Sequence, residues 1–127
     1  MPVRLTNNDR SKSVGTKLDK NQLKFKIALT GNLFNNYEFK DLKPEAVKVF
    51  HKFIDETVGK GLTITNAESK LLRTKGKPSF EELVNGKKRD IIHFGQGKTA
   101  FRIFGYYNDD GYFVICRIDP NHKFHKS

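Results

Sequence analysis

Residues 101–118 constrain the fold more than any other part of the chain. Phe101, Ile103, Phe104, Tyr106 and Tyr107 form one dense apolar run; Tyr112, Phe113, Val114, Ile115, Cys116 and Ile118 form a second. Asn108, Asp109, Asp110 and Gly111 stand between them. Asp and Gly accept the positive φ of tight turns, so the two runs read as strands of a β-hairpin. Upstream, Asp90, Ile91, Ile92, His93 and Phe94 read as a neighbouring strand, joined through a turn at residues 95–98. The result is a three-strand antiparallel meander.

The first half supplies the other elements. Leu23, Phe25, Ile27 and Leu29 occur at alternate positions, the pattern of a strand with one face in the core. Turn residues follow over 30–36. Asp41 to Pro44 opens an amphipathic helix of about four turns, with Pro44 tolerated in its first turn. Its apolar stripe is Val47, Phe50 and Ile54, flanked by Val49, Phe53 and Val58, and Gly59 and Gly61 end it. Thr65 and Glu68 have the spacing of a capping box, which predicts a short helix to Arg73. Ser79 and Glu82 repeat that spacing and predict another short turn of helix, closed by Asn85 and Gly86. Between the two, residues 73–78 form a basic loop expected to be mobile. Strand, helices and meander in this order define an α+β fold: a small antiparallel-rich sheet with helices packed on one face and the other face open. Residues 1–20 lack aliphatic periodicity and read as a flexible basic arm, and residues 21–127 as a single domain.

Charge narrows the partner. Among 127 residues, Lys and Arg number 24 against 14 Asp and Glu, a formal net charge of +10. Such an excess favours a polyanion. Nucleic acid fits better than a membrane surface, because no basic amphipathic anchor or lipidation signal is visible. The start of the chain has no apolar signal region, and no apolar run approaches the roughly 20 residues of a membrane helix. The cytoplasm is the expected location. The plainest alternative is a structural or regulatory protein whose charge is only solvation.

Several chemistries are poorly supported. The chain has one cysteine, so no internal disulfide forms. Cys116 lies in an apolar strand, reads as a small buried hydrophobe, and alternates with Arg117 onto the opposite face. Gly97, Lys98 and Thr99 resemble the end of a phosphate-binding loop, but Ile92 replaces the required glycine and a strand follows. Lys98 at that turn can still contact a phosphate as a point charge. His122 and His125 lie near Asp119 without a helix to align them, so neither a metal nor another cofactor is expected.

The remaining constellation is Arg102, Arg117, His122, Lys123 and His125, with Lys98 and His93 in support. Arg102 stands between Phe101 and Ile103 in the densest apolar strand. It either pairs with Asp119 across the hairpin or grips a phosphate bidentately, and the sequence leaves these even. Arg117, on the face of Phe113 and Ile115 with Asp119 two residues on, leans towards a structural ion pair. His122, just past the strand end, is placed like a reactive group on a loop and suits general acid or base work. Tyr106, Tyr107 and Tyr112 can stack on bases, although half-buried sheet aromatics are the commoner case.

Taken in order, these residues resemble the RelE/ParE toxin superfamily, close to its mRNA-interferase branch. Phe101 and Arg102 leading into Ile103, Phe104, Gly105, Tyr106 and Tyr107 are similar to that family's aromatic-Arg-hydrophobic strand. Tyr112 to Ile118 is similar to its final strand, and Asp119, Pro120, Asn121, His122 and Lys123 to its terminal His or Arg cluster. The resemblance covers about residues 22–125 and implies a RelE-like domain. It implies metal-independent RNA cleavage, usually of ribosome-associated mRNA, by attack of a ribose 2′-OH on the adjacent phosphate. Arg102 would clamp the phosphate, His122 would be acid or base, and Lys98 would help electrostatically. Lys123, Arg117, His125 and His93 would contact RNA, and a cognate antitoxin would cover the basic face. The chain is longer than compact members, and no tyrosine follows the terminal His. The family also holds gyrase poisons, so a non-catalytic nucleic-acid-binding or gyrase-poisoning relative is the alternative.

Overall fold

The computed structural model describes residues 19–34, 36–75 and 78–122. Its elements are β1 (Ile27–Ala28), α1 (Pro44–Glu56), α2 (Ile64–Leu71), β2 (Ser79–Val84), β3 (Lys87–Gly95), β4 (Arg102–Tyr107) and β5 (Phe113–Asp119). The five strands form one sheet in the order β1-β5-β4-β3-β2. β2 to β5 are an antiparallel meander, and β1 joins β5 in parallel. The fold is α+β, with a mixed sheet one meander strand larger than the sequence predicts. The predicted arm falls outside the described residues as far as residue 18. Lys20, assigned to that arm, is anchored: its Nζ lies 3.1 Å from Glu68 and 5.2 Å from the centre of the Tyr107 ring.

The extra strand replaces a predicted helix. Residues 79–84 carry the spacing of a capping box, yet they form β2 and pair residue for residue with β3. Asn85 and Gly86, at φ 54° and 81°, make the two-residue turn that joins them. Two successive positive φ angles match the right-handed twist of a hairpin, and Asn-Gly is the pair that adopts them most readily. Alternation then turns Phe80, Glu82 and Val84 to one face, where Phe80 and Val84 join a buried cluster. Burial on a sheet decides against the local helix signal.

The helices follow the sequence with adjusted registers. α1 has Pro44 in its first turn, where a missing N–H costs nothing. Thr57 finishes it, its hydroxyl donating to the Phe53 carbonyl at 2.8 Å. The buried stripe runs through Ala46, Val49, Phe50, Phe53 and Ile54. Val47 is 49% exposed, so the stripe is rotated from the predicted one. α2 is capped by Thr63, whose hydroxyl accepts from the Asn66 N–H at 3.2 Å. The predicted cap, Thr65, bonds to the Asn21 side chain instead, and Glu68 accepts from the Tyr107 hydroxyl at 2.8 Å.

Two apolar clusters sandwich the sheet. Under the helices, Phe25 meets Phe53 and Phe94 edge-on and stacks on Phe113, with Ile64, Ile103 and Ile118 filling the layer. Each such side chain contributes about 1.5–3 kcal/mol of burial. On the other face Ile91, Phe104, Tyr106, Val114 and Cys116 form the second cluster. That face is not fully open, because Phe34 packs on it and its N–H donates to the Cys116 carbonyl at 2.9 Å.

A bulge between β4 and β5 changes which residues share that face. Phe104 pairs with Arg117, while Gly105 pairs with Ile115, leaving Cys116 as the extra residue. Cys116 and Arg117 therefore turn to the same side, away from Phe113 and Ile115. Strict alternation, which sets them on opposite faces, fails at this point.

Candidate nucleic-acid interface

The end of the sheet where β3 stops and β4 starts gathers positive charge. Gly95 pairs with Arg102, and Arg102 pairs with Asp119, so these residues form one row across β3, β4 and β5. Beside β3, Leu72 bridges to Phe94 and the Arg73 N–H donates to the His93 carbonyl at 3.0 Å. The start of the basic loop is thus held against the sheet, where mobility was expected; residues 76 and 77 lie outside the described residues. The Arg73 guanidinium lies over Gly95, in the space a Cβ would need.

The connection from β3 to β4 is shaped by its own polar groups. The Thr99 N–H and hydroxyl both donate to the Gln96 carbonyl, at 3.2 and 2.7 Å. Two arginines then pin the loop. Arg73 Nη2 donates to the Gly97 carbonyl at 2.6 Å, and Arg102 Nη1 donates to the carbonyls of Thr99 and Phe101 at 2.7 and 2.8 Å. Lys98 is exposed at the loop tip. After β5, the Asp119 carboxylate accepts from the Asn121 N–H at 3.3 Å and turns the chain. His122 follows at φ 55°, a conformation that non-glycine residues adopt at a cost.

Arg73, Thr74, Lys75, Gly97, Lys98, Thr99, Arg102 and His122 line one cavity of about 410 Å³. No carboxylate belongs to this lining among the described residues. Burial, then the neighbouring Arg73 charge, hold the Arg102 guanidinium below its ordinary pKa, while Asp119 works against them. Arg102 stays cationic at neutral pH all the same. Arg73 Nε, Arg102 Nε and His122 Nε2 are buried without a hydrogen-bond partner among the described residues. The arrangement presents fixed cationic donors to an anion of phosphate size.

The structure brings Lys98, Arg102 and His122 together around this cavity, and it adds Arg73 and Lys75. It removes two others from solvent. His93 is 0% exposed and stacks on Phe104 at 4.8 Å, so it has no surface to offer RNA. Arg117 is buried too; its guanidinium makes a bidentate pair with Glu82 at 3.1 and 3.2 Å and lies 4.2 Å from the centre of the Phe34 ring. The ion pair expected of Arg117 therefore forms with β2, and its contact with RNA is corrected on the same ground as that of His93. Lys123 and His125 lie outside the described residues. Arg73 was legible only as part of a basic loop, since its place over Gly95 depends on a bridge between distant segments.

Among the described residues, no three His, Cys, Asp or Glu side chains are grouped as metal ligands. No described helix is long and apolar enough to cross a membrane. No family model, curated protein or solved structure matches this chain.

Proposed function

We propose that the chain is a toxin-like, metal-independent endoribonuclease of the RelE-like type, acting on mRNA at this cationic cavity. The observation that carries the reading is the meeting of Lys98, Arg102 and His122, with Arg73, around a space that no carboxylate lines among the described residues. In this reading Arg102 holds the scissile phosphate, and Lys98 offsets charge that develops on its oxygens. His122 moves the proton as the ribose 2′-oxygen bonds to phosphorus and the 5′-oxygen leaves, giving a 2′,3′-cyclic phosphate and a 5′-hydroxyl. A cognate antitoxin covering the basic face belongs to the same proposal.

One observation favours a second reading, non-catalytic binding of nucleic acid. His122 is the one imidazole or carboxyl group among the described lining residues, whereas this reaction uses both a base and an acid. A single experiment separates the two. Full-length protein is incubated with mRNA in a translating extract and, with EDTA, on purified RNA, beside His122→Ala; new ends are mapped and their chemistry read. Discrete cuts ending in cyclic phosphate, made by the wild type and lost in the variant, are the expected result. Intact RNA with the protein folded and RNA-bound sinks the nuclease reading and leaves the binding module.

A further inference from the structure

We infer that Arg73 is a second phosphate-contacting guanidinium of this site, seated beside Arg102 by the missing side chain of Gly95, and that the two grip one phosphodiester together. The inference rests on the RNA reading above and deepens it.

Register sets the geometry. Gly95 and Arg102 are cross-strand partners on the face away from the helices, so any side chain at residue 95 would lie directly beside that of Arg102. That place is taken by the Arg73 guanidinium, reaching in from the segment after α2. A Cβ on Gly95 would meet Arg73 Nε, Nη2 and Cζ. Two guanidiniums side by side repel; Asp119, opposite Arg102 on β5, offsets part of that charge, and no carboxylate lines their cavity among the described residues. Each spends part of its donors on the same loop, Arg73 at Gly97 and Arg102 at Thr99 and Phe101. These bonds fix both planes in advance, which lowers the ordering cost of binding. The plainer account makes both arginines staples of the loop. It explains the carbonyl contacts, but not why two like charges are set next to each other.

Gly95 gives the test its leverage, because Gly95→Ala displaces the far end of a flexible side chain and leaves net charge unchanged. The probe is a short 2′-O-methyl single-stranded RNA, which has no free 2′-OH and cannot be cut by this route. Affinity is measured across salt for the full chain, Arg73→Met, Gly95→Ala, the double variant, Arg102→Met and a surface control, Lys48→Ala. Each phosphate contact in single strands contributes about 0.7 to the slope of log K against log salt. Arg73→Met and Gly95→Ala are each expected to lower the slope by about that amount and to weaken binding roughly tenfold, about 1.4 kcal/mol. In the double variant Gly95→Ala adds nothing further. Wild-type slopes in Arg73→Met and Gly95→Ala, with a reduced slope in Arg102→Met, overturn the role of Arg73 and leave the RNA reading standing. A fall in Lys48→Ala equal to that in Arg73→Met also overturns it, since the effect is then general charge. No salt-dependent binding by the wild type overturns both. If Gly95→Ala does not fold, Arg73→Met against Lys48→Ala decides.

Discussion

Removing the Glu82 carboxylate should destabilise the fold far more than its position on an edge strand suggests. Arg117 keeps 6% of its side chain exposed and Glu82 keeps 25%. The guanidinium meets both carboxylate oxygens, at 3.1 and 3.2 Å, with the Phe34 ring on one side. Arg89 faces Glu82 from β3 in register and lies 4.5 Å from the centre of the Tyr106 ring. Glu82 is thus a carboxylate set between two arginines on this face of the sheet. Breaking a buried pair by removing one partner costs about 3–5 kcal/mol, because the other charge stays buried. Glu82 is a quarter open to water, so the lower end applies: about 3 kcal/mol for Glu82→Ala. Glu82→Gln keeps one acceptor and should cost about half as much.

The chain has no tryptophan, so unfolding is best followed in urea by far-ultraviolet circular dichroism. A loss of about 3 kcal/mol lowers the thermal midpoint by roughly 10 °C or more in a domain near this size. The decisive comparison is a cycle with Arg117→Met. Met fills much of the volume of Arg and needs no counter-ion, so Glu82→Ala in the Arg117→Met background should cost well under half of its cost alone. Additive losses within about 0.5 kcal/mol would show no coupling between the two residues and refute the reasoning.

Two further outcomes follow from local geometry. Thr63→Ala should cost about 1 kcal/mol as the loss of a helix cap, whereas Thr65→Ala, which loses only an exposed contact to Asn21, should cost under about 0.5 kcal/mol; the reverse order in urea titrations would return the cap to Thr65. Burial pushes the Cys116 thiol up to about 11, above the roughly 8.5 of an unfolded thiol. Folded protein should therefore resist iodoacetamide at mildly alkaline pH. The stability contributed by this group is complete below the unfolded value and is lost as pH rises towards the folded one. Cys116→Ala should flatten that part of the profile, and fast alkylation of the folded protein would contradict the burial.

The meander was legible where local signals agree. Asn108 does what its type predicts: its side chain accepts from the Asp110 and Tyr112 N–H groups, each at 3.0 Å, and closes the hairpin. Residues 79–84 were not legible, because their capping-box spacing is a local signal while their strand is made by Arg117 and Phe104 from distant elements. Asn85 and Gly86 carry the correct signal, a hairpin turn, but one without meaning until both flanks are strands. The bulge at Cys116 has no local signature, and it alone reverses the faces assigned to Arg117.

Legibility of the site follows the same division. Lys98, Arg102 and His122 stand close to strand ends that the sequence locates, and the register of one hairpin is enough to bring Arg102 opposite Asp119. Arg73 enters from the segment after α2, through a bridge between Leu72 and Phe94 that no periodicity encodes. Its sequence trace is indirect: a glycine at the end of β3, where an apolar strand would ordinarily carry a side chain. The functional weight of the site rests on this pairing. One guanidinium on a strand is explained by the loop it holds, whereas two set side by side, with no carboxylate among the described lining residues, support the proposed phosphate contact.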